Sequence, residues 1–409
     1  MGLDLRALKP SERLTTAAAV ALTVASGAAA TLSPHTVATF LISAVALAAL
    51  AALVGQSIEQ VGERLGPGAT GLLQSALGNL PELLVGIFAL RAGLIGVVRA
   101  AVVGSILANT LLVLGVAVLA GGLRHGTQRF ASEAPKMIGT LLLLAVAALL
   151  VPTLAARLHT PAAPHATQLS GAVALILIAV YALSIPFWLH GGTGSEPSEA
   201  DDPGPSEEPT GPSGDNPVGE NPSGDNPVGD NPSGDNPSGD NPVGENQTGE
   251  SRSGHPSWPL SLAIVLLGVG SLGAAVVSDW FVAALEPATK TLGLSQTFTG
   301  LVIVAIASNA VENMVGIRFA LSGRPDYALS TILNSPLQVA LLLTPALVLI
   351  SHLTGPTPLT LVFPTLEVAA LALATIVVIV VLADGEYVWL EGVALIGLYG
   401  IVVAAFWWG

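Results

Sequence analysis

Two stretches of this chain set a single carboxylate in apolar surroundings: GNLPELLVGIFALRAG, from Gly78 to Gly93, and SNAVENMVGIRFALSG, from Ser308 to Gly323. They align without a gap at an offset of 230 residues, pairing Glu82 with Glu312 and Asn79 with Asn309. Three residues separate amide from carboxylate in each, which stacks the two on one face of a helix. Twenty-three residues after each glutamate comes a serine, Ser105 and Ser335, in GSILANTLLVLG and LNSPLQVALLLTP, which also hold Asn109, Asn334 and Gln338. Pro81 has no N–H and, inside a continuous helix, would leave the carbonyl of Leu77 without its partner and able to accept from elsewhere. Carboxylate, amide, hydroxyl and carbonyl oxygen suit a hard cation such as Ca²⁺, or Na⁺, rather than Zn²⁺ or Cu⁺. Two carboxylates neutralise one divalent ion. Once it leaves, burial and mutual repulsion favour their protonation. A pair that holds either a divalent cation or protons has the mutually exclusive occupancy an antiporter needs.

The elements that must position these residues are membrane spans. Of 409 residues, 51% are hydrophobic and 10% charged, with a mean hydropathy of +0.70; a soluble chain carries about 25% charged residues. Runs long enough to cross about 30 Å of hydrocarbon follow one another. They fall near 14–32, 36–56, 69–91, 97–121, 136–154 and 169–190, then near 258–280, 295–321, 326–351, 361–382 and 388–408. The expected fold is an all-α polytopic membrane protein of about eleven transmembrane helices, one extra N-terminal helix plus two inverted five-helix repeats. The expected units are residues 1–35 (N-terminal segment and extra helix), 36–190 (first repeat), 191–257 (acidic loop) and 258–409 (second repeat). The stretch ASGAAATLSP reads as the end of the first span rather than as a signal-peptide cleavage site. An odd number of spans per repeat inserts the halves with opposite topology, the architecture of secondary transporters with a site at the repeat interface near the midplane.

Glu82 and Glu312 each fall deep within an expected span, where a charge costs at least about 2.5–3.5 kcal/mol. Repetition of that cost at equivalent positions favours function over a pair of protonated structural glutamates. Packing between helices is the bland role for the asparagines, but their recurrence beside both carboxylates favours ligation or positioning. Glu59 and Glu63, before the third span, and Asp279 and Glu286, after the seventh, are candidate vestibule charges that attract cations, or ordinary interfacial residues. Glu367 and Glu391 open the last two spans, where a helix-dipole role is expected.

The formal charge of −14 is misleading, because 14 of the 28 acidic residues lie between Glu196 and Glu250. There a pentapeptide repeat, PSGDNPVGEN and its variants, places a carboxylate every fifth residue from Asp215 to Glu245. Its Pro, Gly and Asn leave nothing apolar to bury, so a disordered, solvated tether is expected. No basic nucleic-acid surface remains, and the absence of cysteine excludes disulfides, thiolate metal sites and cysteine nucleophiles. Lys and Arg favour an N-terminus and acidic loop on the cytoplasmic side, with Arg91, Arg99, Arg157 and Lys290 outside. An intramembrane enzyme would need a nucleophile dyad or paired metal-binding histidines, and neither is written here.

Several separated segments resemble, in order and spacing, the calcium/proton exchanger family of the cation/Ca²⁺ antiporter superfamily. ERLGPGATGLLQSALGNLPELLVGIFALRAG and ALEPATKTLGLSQTFTGLVIVAIASNAVENMVGIRFAL are similar to its two signatures, and LTLVFPTLEVAALALATIVVIVVLADGEYVWLEG to its C-terminal stretch. The resemblance covers roughly residues 50–190 and 258–408. It implies a calcium site lined by Asn79, Glu82, Asn309 and Glu312, a pathway lined also by Ser105, Asn109, Ser335 and Gln338, and Ca²⁺ and H⁺ as transported substrates without a resident cofactor. The second signature departs from the family at Ser308, where Gly is usual, and at Asn313, where His is usual; Pro81 is a third departure. Loss of the imidazole, the group best suited to titrate near neutral pH, bears on pH dependence. A proton-coupled calcium exporter of a prokaryotic-type plasma membrane is the expected function. A Na⁺/Ca²⁺ exchanger or monovalent cation/proton antiporter is the alternative, and a homo-oligomer is compatible with either.

Overall fold

The structure is a computed structural model describing residues 8–65, 77–130, 133–191, 258–354 and 356–407, without the side chains of 63, 65, 133, 134, 186–191 and 307–313. Its helices are α1 (Pro10–Leu32), α2 (Val37–Leu65), α3 (Leu80–Arg91), α4 (Ile95–His125), α5 (Glu133–Arg157), α6 (Ala166–Gly191), α7 (Leu260–Leu292), α8 (296–321), α9 (Pro325–Thr354), α10 (Thr365–Ala383) and α11 (Trp389–Trp407). Nine helices among the described residues are long and apolar enough to cross a membrane. The third and eighth expected spans are not among the nine. Much of the third lies outside the described residues, as do side chains in the middle of the eighth. The acidic loop expected at 191–257 also lies, but for residue 191, outside them.

The 230-residue offset seen in the sequence recurs in the helix boundaries. α3 ends at Arg91 and α8 at Leu321; α4 begins at Ile95 and α9 at Pro325. Each turn between them passes through a left-handed glycine, Gly93 (φ 75°) or Gly323 (φ 70°), a conformation that costs glycine no Cβ clash. α2 and α7, equivalent by the same offset, lie antiparallel. Gln60 near the end of α2 accepts from the Trp258 N–H just ahead of α7. Phe40 near the start of α2 stacks on Phe281 (centroids 4.9 Å apart), and His35 contacts the Ala283 carbonyl at 2.9 Å. α1 joins this pair from outside, through Ser26–Ser43 at 2.7 Å and the Trp258 indole donating to Glu12 at 2.8 Å.

Several helix lengths correct the sequence expectations. α2 continues to Leu65, so Glu59 and Glu63 belong to its last turns. α7 continues to Leu292, so Asp279, Glu286 and Lys290 are helical rather than beyond the span. Amphipathic charges can extend a helix past the apolar run, which is all that hydropathy detects.

Among the described residues, three π-helical turns interrupt the α-helices, at Ala108–Val113 in α4, Thr299–Val304 in α8 and Val339–Leu343 in α9. The α4–α8 crossing depends on two glycines. A Cβ on Gly104 would lie 2.0 Å from the Leu301 carbonyl oxygen, and one on Gly300 would lie 2.7 Å from the Val97 carbonyl oxygen. At the far end of α4, a short ribbon pairs β1 (Gln128–Arg129) antiparallel with β2 (Glu386–Tyr387), reinforced by an exposed Arg129–Glu386 contact at 3.0 Å. Burial, with Asp326 second, pushes the Tyr387 phenol up to about 12, so it stays neutral.

Gly104→Ala or Gly300→Ala forces backbone apart where no flexible side chain can yield. Each should lower stability by about 1–3 kcal/mol or more, read as a drop in thermal unfolding temperature of the detergent-solubilised protein. Gly171→Ala and Gly268→Ala, with nothing within 4 Å of the added Cβ, should change it by less than about 1 kcal/mol in either direction.

Candidate functional site

Glu82 is not in the middle of an unbroken helix. Leu77 is helical, Gly78 and Asn79 form a turn, and α3 starts at Leu80. This corrects the reading of Pro81: it sits in the first turn of a new helix, where a missing N–H forfeits no helical bond. Leu77 therefore lies before a chain break, not opposite a proline-made gap. Glu82 consequently belongs to the first turn of α3, where the helix dipole and unsatisfied N–H groups favour negative charge.

Six of the polar residues singled out in the sequence are buried together: Asn79 (7% exposed), Glu82 (8%), Ser105 (3%), Asn109 (0%), Ser335 (6%) and Gln338 (5%). Three hydrogen bonds join them between helices. Asn79 Nδ2 donates to Gln338 Oε1 at 3.0 Å, Ser105 Oγ to Glu82 Oε1 at 3.3 Å, and Asn109 Nδ2 to Ser335 Oγ at 3.1 Å. Asn79, the residue just ahead of α3, precedes Glu82 by three positions; Ser105 and Asn109 in α4 are four apart and Ser335 and Gln338 in α9 three, spacings that keep side chains on one helical face. Together these residues form a polar circuit through α3, α4 and α9, with Glu82 as its carboxylate among the described side chains. The Asn109 Oδ1 atom is buried and accepts no hydrogen bond among the described residues, leaving an oxygen donor for a hard cation. Asn109 is the second residue of the π turn of α4, and the π turn of α9 begins just after Gln338. Such wide turns recur at functional sites.

Asn309 and Glu312 lie in α8, beyond its π turn. Their side chains are outside the described ones, as is that of Asn313. The four proposed vestibule carboxylates divide between the two ends of the α2–α7 pair. Glu59, exposed, and Glu63, whose side chain is outside the description, are at the Trp258 end. Asp279, exposed, borders a shallow depression with Phe88 and Arg91, while Glu286 pairs with Lys290 at 2.8 Å one helical turn on. An i,i+4 surface pair is an ordinary helix interaction, so Glu286 has a bland role in full view.

Sequence reasoning missed the π turns, whose residues carry no distinctive signal. It also missed the depth of Glu367. Expected as a dipole-facing residue at a helix start, it is in the first turn of α10 but only 1% exposed.

A bundle of apolar helices around a buried polar circuit, with a carboxylate at a helix start, describes an integral membrane protein built to handle a cation. The sodium/calcium exchanger protein family matches residues 35–189 and 262–408, and the chain belongs to that family. It is 34% identical to a Ca²⁺/H⁺ antiporter of Synechocystis over 90% of either chain. It is 32% identical to a Ca²⁺/H⁺ antiporter of Aphanothece halophytica, over 90% of this chain and 89% of that one. Among solved structures, native YfkE superposes with a TM-score of 0.71 at 25% identity, covering 97% of this chain and all of that one. The H⁺/Ca²⁺ exchanger CAX shares the fold, with a TM-score of 0.66 at 17% identity over 97% and 92% of the two chains.

Gln338→Leu strands the buried Asn79 amide and should cost about 1–3 kcal/mol. Asn79→Leu with Gln338→Leu should cost less than the two single changes added together. A thermal-unfolding double-mutant cycle on purified protein measures the difference.

Proposed function

We propose that this chain is a secondary transporter that exchanges Ca²⁺ for H⁺ by alternating access between two inverted repeats, residues 36–190 and 258–409. The observation that carries the reading is the buried circuit around Glu82, which offers a carboxylate, amide oxygens and hydroxyls and no sulfur or imidazole. The relatives at 34% and 32% identity support protons rather than Na⁺ as the counter-ion.

In this mechanism Glu82 and Glu312 bind the ion, with Asn79 and Asn309 beside them and Ser105, Asn109, Ser335 and Gln338 lining the path. Ca²⁺ would replace hydrogen bonds within the circuit, drawing oxygens of Glu82 and Asn109 onto itself. When it leaves, a proton on the carboxylate removes the cost of a bare charge in low dielectric. Occupancy by one excludes the other, and antiport follows from that exclusion. Asn313 in place of an imidazole removes a group that titrates near neutral pH and leaves the carboxylates to carry the protons. The protein would sit in a prokaryotic plasma membrane with its N-terminus and acidic loop on the cytoplasmic side, exporting Ca²⁺ as protons enter.

Radioactive Ca²⁺ uptake into inverted membrane vesicles with an acid interior should require the proton gradient. It should fall to background in Glu82→Gln and in Glu312→Gln. Uptake driven by a Na⁺ gradient alone would identify Na⁺/Ca²⁺ exchange instead, and undiminished flux in both variants would sink the paired-carboxylate mechanism.

A further inference from the structure

Among the described residues, four helices carry a glutamate as their third residue: Glu12 in α1, Glu82 in α3, Glu367 in α10 and Glu391 in α11. Glu82 belongs to the polar circuit. Two of the others cap their helices. Glu12 Oε2 accepts from the Lys9 N–H at 2.7 Å, and Glu391 Oε2 accepts from the Val388 N–H at 2.8 Å. Each carboxylate reaches back to the residue just ahead of its helix, as in the second half of a capping box. Glu367 holds the same position, but the residue ahead of α10 is Pro364. Proline has no N–H to donate. The sequence FPTLE therefore closes to Glu367 the role that Glu12 and Glu391 perform.

Nor do its surroundings answer it. Glu367 is 1% exposed, and its Oε2 atom is buried without a hydrogen-bond partner among the described residues. Polar groups nearby in the chain are matched to one another instead. An extended segment, residues 356–364, leads into α10. Ser351 Oγ accepts from its Leu359 N–H at 2.8 Å, Ser170 Oγ from Leu361 N–H at 2.9 Å and Thr153 Oγ1 from Phe363 N–H at 2.9 Å. Arg99 of α4 commits Nε to the Thr360 carbonyl at 3.0 Å and Nη2 to Thr360 Oγ1 at 2.6 Å, and it forms no ion pair with Glu367. α10 packs against α4, α5 and β2. Arg157, exposed, ends α5 one turn past Thr153. The other ionisable groups of these elements, Arg124, His125, Glu133, Lys136, Glu386 and Tyr387, lie toward the opposite end of α10, where β1 pairs with β2 and Lys136 approaches Gly385.

A bare carboxylate so placed is costly, and a proton removes the cost. Access for that proton is short. Pro364, Thr365 and Leu366, just ahead of Glu367, are exposed, so the carboxyl lies within one helical turn of the surface where α10 begins. α10 also packs against the π turn of α4 that contains Asn109, which puts Glu367 and the cation circuit on neighbouring helices. We propose that Glu367 is a proton-binding site separate from that circuit, filled from the face on which α10 begins and not displaced by Ca²⁺. Its part in transport rests on the exchange reading given above; the proton site itself does not. Protons at Glu82 compete with the cation, whereas a proton at Glu367 makes exchange respond to pH without that competition.

Infrared spectroscopy of the purified full-length protein reads the proton directly, through the C=O stretch of a carboxylic acid, which an ionised carboxylate lacks. The background is Glu82→Gln combined with Glu312→Gln, which removes both carboxyls of the proposed cation site. An acid band should remain there at neutral pH, persist when Ca²⁺ is added, and vanish when Glu367→Gln is added. Absence of the band from the double variant, its loss on adding Ca²⁺, or its survival in the triple variant overturns the proposal. The double variant decides even if the triple one fails to fold. Transport gives a second readout. The lumen of inverted vesicles corresponds to the face on which α10 begins, in the orientation proposed above, so lumen pH is varied at fixed medium pH and saturating Ca²⁺. Glu367→Gln should lose one titration step from the rate profile and keep the Ca²⁺ KM of wild type, while Glu367→Asp, which still titrates, keeps the step. An equal loss of rate at every pH marks Glu367 as merely structural and overturns its part in transport, as does a profile identical to wild type. Should wild type carry no Ca²⁺ at all, the exchange reading fails separately and the infrared band still decides the proton site.

Discussion

Polar groups inside an apolar bundle persist only where they satisfy one another, and that constraint organises this molecule. Water is not available to compensate a stranded amide or carboxylate, so each one costs several kcal/mol unless a neighbour answers it. The circuit from Asn79 through Glu82, Ser105, Asn109 and Ser335 to Gln338 is one solution. It spans three helices, so it also fixes how those helices meet.

The same constraint explains the extended segment 356–364. Its backbone is answered by Ser351, Ser170, Thr153 and Arg99, drawn from four helices. A helix would have satisfied these groups internally. Extended chain needs outside partners, and those partners join elements of both halves of the molecule.

Close approach of backbones is the other requirement. Gly104 and Gly300 let α4 and α8 cross where any Cβ would strike a carbonyl, and the π turn of α8 falls at that crossing. Apolar burial does not bring membrane helices together as it does in water. Small residues and interhelical hydrogen bonds take its place, and here the two glycines lie on α4, which carries Ser105 and Asn109, and on α8, which carries Asn309 and Glu312.

Much of this was legible in the sequence. The hydropathy runs, the 230-residue offset and the pairing of Asn79–Glu82 with Asn309–Glu312 follow from local composition and spacing, because a membrane span must be long and apolar and a buried carboxylate must be rare. Those features led to the helical class, the family and the six residues that now form the circuit. Tertiary structure alone decided the rest. The break at Gly78 and Asn79 moved Glu82 from mid-helix to a helix start. The extensions of α2 and α7 carried Glu59 and Glu286 into helices, and the fold buried Glu367. Sequence separations of 226 to 261 residues divide Asn109 from Ser335, Asn79 from Gln338 and Arg99 from Thr360. Periodicity tells which face of a helix is polar, but it carries no information about which distant face will meet it; that is set by how all the helices pack at once.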